Sequence, residues 1–338
     1  MMSNKVENNE KNAGIPNIID VWSARERNSQ IVRKTPLIHS FKVSEQIGSN
    51  VFLKMENLHE IGAFKIRGAA NKILSLTVEQ QKRGVATYST GNHGIAVSYV
   101  ARQLNIPACV FISERVPEAK VNVLRRLGAV VEINGSSQDE AGKHCYKEAE
   151  EKGYTVVEPF DDPHVIAGQG TIGLEILEDV SDIDTVIIPL SGGGLLSGVA
   201  MALKSKNPSI RVVGVSMEKG AVMYHSLKAG KPVVMEEGDT LADSLLGGIG
   251  VNNQYTFSMV QKYMDEVILI PEENIARAMA YILENHRMIV EGAAAIGVGA
   301  LLGEKIKNPG KKVAAVVTGN NVNLSSFMEA TKKYWCKE

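Results

Sequence analysis

Lys65 is the residue of this chain with the clearest capacity for covalent chemistry. It lies in the segment Ile-Gly-Ala-Phe-Lys-Ile-Arg-Gly-Ala (61–69), whose other members are mostly small or apolar. A lysine removed from water holds its proton less tightly, so its neutral amine becomes available to form a Schiff base with a carbonyl compound. The same pattern is also typical of a solvated lysine at the start of a helix. The segment alone therefore leaves both interpretations open.

Glycine is the second signal, because several of the 31 glycines lie in turns that follow short apolar runs. Three such turns are Ser-Thr-Gly-Asn-His-Gly (89–94), Ser-Gly-Gly-Gly-Leu (191–195) and Thr-Gly-Asn-Asn (318–321). Ligands of open parallel sheets bind at the carboxyl ends of strands, where these turns are expected. Glycine there lets the backbone approach a ligand and direct successive N–H groups at it. We expect the three turns to surround one ligand.

The turn at 191–195 is the best candidate for holding a phosphate, since three glycines stand directly between a predicted strand and a predicted helix. It is not a P-loop, because no Gly-Lys-Ser/Thr follows. It matches half of a dinucleotide fingerprint, with Ser197 where the third glycine belongs and Glu218 near the end of the next strand. A glycine turn needed only for packing and a nicotinamide-dependent oxidoreductase are the alternatives on this motif alone.

The elements that must position these residues alternate from about Gly84 onward. Apolar runs at 85–89, 109–113, 129–133, 155–159, 185–190, 211–217 and 313–318 are separated by amphipathic segments. This alternation predicts parallel βαβ units, with Val/Ile-rich strands buried on both faces. We predict an α/β fold with two open, mainly parallel twisted sheets. A small substrate-closing domain is expected over 82–155, and a large cofactor-binding domain over 1–81 and 156–338.

Composition narrows the classes of function. The 338 residues carry a net charge of −1, with 44% hydrophobic and 5% aromatic residues, which excludes a disordered chain and gives no basis for nucleic-acid binding. No apolar run is long enough for a membrane helix, and the polar N-terminus does not resemble a signal peptide. The three cysteines are widely spaced and form no disulfide or zinc pattern, which favours the cytoplasm. The expected partner is a small molecule.

Several motifs together resemble one family. Ala-Phe-Lys-Ile-Arg-Gly-Ala resembles the pyridoxal-phosphate lysine motif of the fold-type II, or tryptophan-synthase β-like, enzymes, whose threonine/serine dehydratase and serine racemase branch usually has serine in place of Ala63. The turn at 89–94 resembles that family's asparagine loop, and the turn at 191–195 its phosphate loop. Pro-Phe-Asp-Asp-Pro (159–163) and the segment 167–175 are also similar to this branch. The motifs occur in the family's order over nearly the whole chain.

The resemblance implies pyridoxal 5′-phosphate as cofactor, an amino acid as substrate, a homodimer, and a role for each matching residue. Lys65 and Thr90 are the implied catalytic residues. The implied cofactor-binding residues are Phe64, Lys65, Asn92, Gly192, Gly193, Gly194, Leu195, Glu291 and Thr318. Within this set, Asn92 is expected at the 3-hydroxyl, the 192–195 backbone at the phosphate, and Thr318 at the pyridine nitrogen. The implied substrate-binding residues are Ser89, Thr90, Gly91 and His93.

The neutral hydroxyl of Thr318 favours elimination. A carboxylate opposite the ring nitrogen would keep it protonated and make a full electron sink, whereas a hydroxyl does not. The sequence therefore predicts a lyase that removes water from a β-hydroxy amino acid, yielding a 2-oxo acid and ammonia. No metal site is expected, since Ser216 stands where metal-activated members carry glutamate.

Departures from the family pattern keep other activities open. Thr90 occupies the position where racemases of the branch carry a serine that acts as a base, so serine or aspartate racemisation is an alternative. Ala63 and Asn320 depart from the usual serine and glycine. These changes raise a non-standard substrate as a further alternative, either in hydroxyectoine breakdown or of β-hydroxyaspartate type. A non-catalytic sensor is disfavoured, because Lys65 and the other cofactor positions are present.

Overall fold

The strands form two separate sheets. The computed structural model describes residues 14–89, 91–114, 116, 118–236 and 238–335, with side chains at 138 and 139 left undescribed. The strands within these ranges are β1 Leu37–His39, β2 Asn50–Met55, β3 Val85–Thr87, β4 Ala108–Ile112, β5 Val130–Ile133, β6 Thr155–Val156, β7 Thr185–Pro189, β8 Arg211–Met217, β9 Glu266–Ile270 and β10 Lys312–Val317. Their hydrogen bonding gives a six-stranded sheet in the order β1-β2-β10-β7-β8-β9 and a four-stranded sheet in the order β5-β4-β3-β6.

Helices cover these sheets. Those in the described ranges are α1 Ile18–Asn28, α2 Phe41–Ile47, α3 Lys65–Leu74, α4 Val78–Arg83, α5 Asn92–Gln103, α6 Glu118–Arg126, α7 Gln138–Lys152, α8 Pro163–Asp179, α9 Gly194–Lys206, α10 Val222–Ala229, α11 Thr256–Tyr263, α12 Glu272–His286, α13 Gly292–Leu302 and α14 Leu324–Thr331. Short 3-10 turns lie at Glu56–Leu58, Asp243–Leu245 and Lys332–Tyr334. No helix among them is both long enough and apolar enough to cross a bilayer.

The predicted α/β class with two mainly parallel sheets is confirmed. Every strand pair is parallel except β1 with β2. The strand over 211–217 has the predicted bounds. The strand predicted over 155–159 is shorter and ends at Val156. The Val157 N–H still donates to Ala86, and Pro159, which has no N–H, could not extend the ladder to the predicted end.

Parallel pairing brings three loops to one edge of the larger sheet. β10 pairs with β2 on one side and with β7 on the other. The loops that follow these three strands contain Lys65, Thr318 and the glycine turn 191–195. Because the carboxyl ends of parallel strands lie on the same side of a sheet, all three loops meet there. Apolar clusters fill both faces of this sheet and fix its strands, one with α12 and α13 and the other with α8 and α9.

A buried charge network anchors the start of α3. The guanidinium of Arg67, 1% exposed, donates to Glu56 at 2.6 and 2.9 Å and to Glu175 at 2.6 and 2.8 Å. Lys54, in β2, donates to the same Glu175 carboxylate at 2.5 Å. Burial opposes the positive charge of Arg67, but the carboxylates of Glu56 and Glu175 outweigh this effect and raise its pKa. The Arg67 charge in turn lowers the pKa of Glu56. The network joins β2, the turn after it, α3 and α8.

Arg67→Met is expected to lower the free energy of unfolding by about 3–5 kcal/mol, because it removes the guanidinium from the buried Glu56 and leaves Glu175 with Lys54 as its cation. Arg25→Met is the matched control, since Arg25 pairs with Glu178 on the same helix α8 but on the surface. Its loss is expected at no more than about 1 kcal/mol. Urea unfolding of the cofactor-free proteins measures both values. Equal losses for the two variants would contradict the importance of the buried network.

Candidate active site

Lys65 opens α3 at the edge where the three loops meet. The preceding residue, Phe64, donates its N–H to the carbonyl of Thr318 at 3.0 Å, which ties the helix start to the end of β10. The Lys65 ammonium is half-buried and donates to the carbonyl oxygen of Pro159 at 2.6 Å. Burial lowers the pKa of Lys65 to about 8. The structure therefore supports the desolvated lysine rather than the solvated helix-start lysine.

The glycine turn forms a cradle closed by Phe160. A Cβ on Gly192 would lie 2.5 Å from the Phe160 ring, and one on Gly194 would lie 2.7 Å from the Phe160 carbonyl oxygen. Gly193 has φ +88°, in the left-handed region that favours glycine. α9 begins at Gly194, so its first N–H groups have no intrahelical partner and point out of the helix end. This arrangement suits a phosphate.

Asn92, at the start of α5, forms hydrogen bonds with Glu291, which directly precedes α13. The Asn92 amide nitrogen lies 2.9 and 3.1 Å from the two Glu291 carboxylate oxygens. The Asn92 oxygen accepts from Asn321 at 2.6 Å, and the Asn321 backbone N–H reaches Glu291 at 2.9 Å. Ser244 also donates to Glu291. Burial raises the pKa of Glu291, and these hydrogen bonds offset the effect in part.

His93 lies beneath the expected substrate loop as a neutral imidazole. Its Nε2 lies 2.9 Å from the carbonyl oxygen of Val157, so Nε2 carries the proton. Burial and the nearby Lys65 lower the pKa of His93 to about 3. Nδ1 is buried without a hydrogen-bond partner among the described residues. Ser89 and Gly91 flank the start of α5, whereas Thr90 lies outside the described residues.

The geometry brings the predicted residues together and adds others. Thr318, 5% exposed, lies directly after β10 and next to Phe64, and Leu195 is in the first turn of α9. The residues that sequence reasoning missed are Asn321, Ser244, Pro159 and Phe160. The motif at 159–163 pointed to Pro159 and Phe160, but their contacts with Lys65 and the glycine turn are visible only in the structure. No metal-binding group of three or more His, Cys, Asp or Glu occurs in the described part of the chain.

The site fits pyridoxal phosphate, which combines an aldehyde with a phosphate. Lys65 offers a desolvated amine for the aldehyde, and the cradle at 192–195 offers free N–H groups and the positive end of α9 for the phosphate. A side chain on either Gly192 or Gly194 would collide with Phe160, which explains why the turn consists of glycine.

The lowered pKa of Lys65 gives a direct pH test. In the cofactor-free protein, acetylation of Lys65 by acetic anhydride is expected to rise with pH and level off above an inflection at about 8. The reason is that only the neutral amine reacts, and the ordinary lysine inflection lies near ~10.4. Peptide mass spectrometry of protein labelled between pH 6 and 11 measures the profile. An inflection at the ordinary value would show that Lys65 is solvated.

Comparison with protein families and curated proteins gives a consistent result. The pattern of the family described as "Pyridoxal-phosphate dependent enzyme" matches residues 29–319. The chain is 45% identical over 306 residues to a putative threonine dehydratase of Sinorhizobium fredii, covering 90% of this chain and 92% of that protein. It is 44% identical over 308 residues to an L-threonine ammonia-lyase of Thermotoga maritima, covering 90% and 76%.

Solved structures give the same picture. Maize serine racemase superposes with a TM-score of 0.88 at 34% identity, covering 95% of this chain and 98% of that one. The relatives and this structure correspond to the branch indicated by the sequence motifs. The chain therefore belongs to the pyridoxal-phosphate dependent enzyme family, in its fold-type II threonine/serine dehydratase and racemase branch, and its cofactor is pyridoxal 5′-phosphate.

Proposed function

We propose that this enzyme is a lyase that eliminates water from L-threonine, L-serine or a related β-hydroxy amino acid, giving a 2-oxo acid and ammonia. The observation that carries the proposal is the amine of Lys65, desolvated and held by a backbone carbonyl, at one side of a phosphate cradle. Relatives named as threonine dehydratases or ammonia-lyases, 40–45% identical over most of the chain, support the same activity.

Lys65 would hold the cofactor and then move protons. Pyridoxal phosphate supplies the electron withdrawal that makes the substrate's Cα–H acidic. With a pKa of about 8, a substantial fraction of the Lys65 amine is neutral near pH 7–8 and can accept the Cα proton. The Pro159 carbonyl orients this amine at 2.6 Å without adding a negative charge, which would restore its ordinary basicity.

The remaining predicted residues would bind and orient. The N–H groups of Gly192, Gly193, Gly194 and Leu195 would take the phosphate, with Phe64 beside the cofactor ring and Glu291 near it. Asn92 would serve the 3-hydroxyl and Thr318 the pyridine nitrogen, where a neutral hydroxyl favours elimination. Ser89, Thr90, Gly91 and His93 would hold the substrate carboxylate. Because His93 is neutral, its backbone and the positive end of α5 would provide that attraction.

Racemisation is the second candidate function. The TM-score of 0.88 with maize serine racemase favours it, and an aspartate racemase structure is similar at a TM-score of 0.85 and 28% identity. A racemase needs a proton donor on the face of the substrate opposite Lys65, the role implied for Thr90. The hydroxyl of a threonine could fill that role, but its methyl group adds bulk at the same position.

The activity test is a panel of β-hydroxy amino acids, including L-threonine, L-serine and β-hydroxyaspartate, assayed for release of 2-oxo acid. Lys65→Ala is expected to lose at least about 10²-fold in turnover, because the proton acceptor is gone. Lys42→Ala is the matched control, since Lys42 is an exposed lysine whose nearest carboxylate, Glu45, is 3.8 Å away. D-Serine formed from L-serine without pyruvate would establish the racemase. Near-normal turnover by Lys65→Ala would refute both candidates.

We also propose that the enzyme is a cytoplasmic homodimer, with residues 82–155 as the substrate-closing domain. Exposed apolar side chains at Phe41 and Leu58 support a second copy as partner, since such surfaces mark interfaces. Their chain neighbours meet the same region, since Ser40 contacts His286, the last residue of α12, and Asn57 contacts Met288 just after it. Cys109 and Cys145 are buried free thiols, as a reducing compartment allows.

Light scattering after size exclusion is expected to give twice the mass of one chain. Phe41→Glu is expected to shift the protein to the monomer, because it places a charge in the apolar contact. Val78→Glu, at an equally exposed apolar residue on α4, serves as control and is expected to leave the dimer intact. A monomeric wild-type protein would contradict the proposal.

A further inference from the structure

Six consecutive residues connect the four-stranded sheet to the elements of the six-stranded sheet. Each of them contacts a different part of the fold. We name residues 157–162 the crossing segment. The Val157 carbonyl accepts from His93 and Thr87, at 2.9 and 3.0 Å. Pro159 accepts from Lys65, and Phe160 closes the glycine cradle. The next two residues bind helix ends, Asp161 at the start of α11 and Asp162 at the start of α8.

Glu158, the second residue of this segment, accepts hydrogen bonds from two tyrosines. One carboxylate oxygen accepts from the Tyr88 hydroxyl at 2.8 Å, and the other accepts from the Tyr146 hydroxyl. Tyr88 directly follows β3, whereas Tyr146 lies on α7. Burial, followed by the Glu158 charge, raises the pKa of Tyr88, so Tyr88 remains a hydrogen-bond donor throughout the working pH range. Glu158 thus joins three chain segments at one point.

On its other side β3 pairs with β4 as far as Thr87, but towards the crossing segment side chains hold the end of β3 once the β3–β6 ladder has ended. The ladder between β3 and β6 ends with the Val157 N–H donating to Ala86 at 2.8 Å. Within the described residues, the hydrogen bonds between the two segments past that point are Thr87 to Val157, His93 to Val157 and Tyr88 to Glu158. A backbone held by few contacts samples other positions, so the position of Ser89, which directly follows Tyr88, depends on the bond from Tyr88 to Glu158.

Glu158 is linked to both expected parts of the active site, the substrate loop and the Lys65 amine. Through Tyr88 it holds the residue that directly precedes the loop 89–91, and through the chain it precedes Pro159, whose carbonyl holds the Lys65 amine. We propose that Glu158 is a positioning residue that sets the substrate-carboxylate loop at the correct distance from Lys65 by holding Tyr88. This inference rests on the proposed function of the loop, and it assigns to Glu158 and Tyr88 a role that the family motifs do not carry.

The proposal predicts a specific kinetic signature for Tyr88→Phe. Losing a hydrogen bond to a charged acceptor is expected to raise the KM for the amino acid about tenfold, because fewer molecules hold the loop in its binding position. The kcat and the visible absorbance of the bound cofactor are expected to remain within about twofold, because Lys65 and the cradle keep their own contacts. Steady-state 2-oxo acid release and absorbance spectra of the holoenzymes measure these quantities.

Tyr146→Phe is the matched control, since it removes the same group from the other oxygen of the same carboxylate. Tyr146 is 49% exposed and water can replace its bond, so its KM is expected to change less than about twofold. Glu158→Ala is expected to raise KM at least as much as Tyr88→Phe. Glu158→Gln keeps an oxygen that accepts from Tyr88 and is expected to recover most of the loss, which a purely charge-dependent role would not show.

The outcomes separate this proposal from the proposed function. Equal effects of the two tyrosine variants, or a fall in kcat at unchanged KM in Tyr88→Phe, would overturn the positioning role. If wild-type holoenzyme releases no 2-oxo acid, the proposed function fails. The positioning role is then measured by absorbance titration of the same holoenzymes with L-serine and L-threonine, where Tyr88→Phe must still bind more weakly than Tyr146→Phe. Wild-type holoenzyme that responds to neither amino acid would refute both.

Discussion

The pairing of Arg67 with Glu56 and Glu175 is the constraint on which the site depends. Burying three ionised groups costs several kcal/mol for each ion, and mutual attraction offsets this only when the geometry is complete. Here the Glu56 and Glu175 carboxylates bind different nitrogens of the Arg67 guanidinium, and Lys54 forms a second ion pair with Glu175. Because a partial network would leave a buried charge unpaired, β2, α3 and α8 have one favourable arrangement. That arrangement also fixes where α3 begins, and hence where Lys65 lies.

From this anchor the rest of the site follows through strand order. β10 lies between β2 and β7, so the loop containing Thr318 lies between the one containing Lys65 and the one containing the glycine cradle. The isolated bridge between Ala63 and Gly319 joins two of these loops directly. The crossing segment then contacts both Lys65 and the cradle, and it brings the end of β3 from the smaller sheet to the same point. Two sheets thus contribute to one site without a shared strand.

Local patterns in the sequence predicted the elements that depend on local physics. Val/Ile-rich runs between amphipathic segments predicted seven of the parallel strands, β3 to β8 and β10, because burial on both faces requires continuous apolar sequence. Clustered glycine gave the loops at the strand ends. β1 and β2 did not stand out, because Leu37–His39 is short and Asn50–Met55 includes the polar Asn50 and the buried Lys54. Lys54 looks like a surface residue until its partner Glu175, far away in sequence, is known.

The hydrogen-bond partners inside the site could not be predicted either, because they too are far apart in sequence. Asn321 and Ser244 contact Glu291 across 30 and 47 residues of sequence, and Tyr88 contacts Glu158 across 70. No periodicity encodes such distances, whereas family motifs could indicate Asn92 and Glu291 individually. The role expected of Thr90 stays a prediction, since that residue lies outside the described part of the chain.

Lys65 and Arg67 show how one helix turn serves both stability and chemistry. Two residues on an α-helix lie about 200° apart, so the two cations face opposite sides of α3. On one side, paired carboxylates keep Arg67 charged and make it a structural cation. On the other side, the Lys65 amine donates to a carbonyl oxygen and lies 5.4 Å from the centre of the Phe64 ring, and burial brings its pKa to about 8. If a carboxylate faced Lys65 as well, its amine would stay protonated and could not react. The separation of the two environments by one helix is therefore what allows a buried lysine to act as a nucleophile and a base.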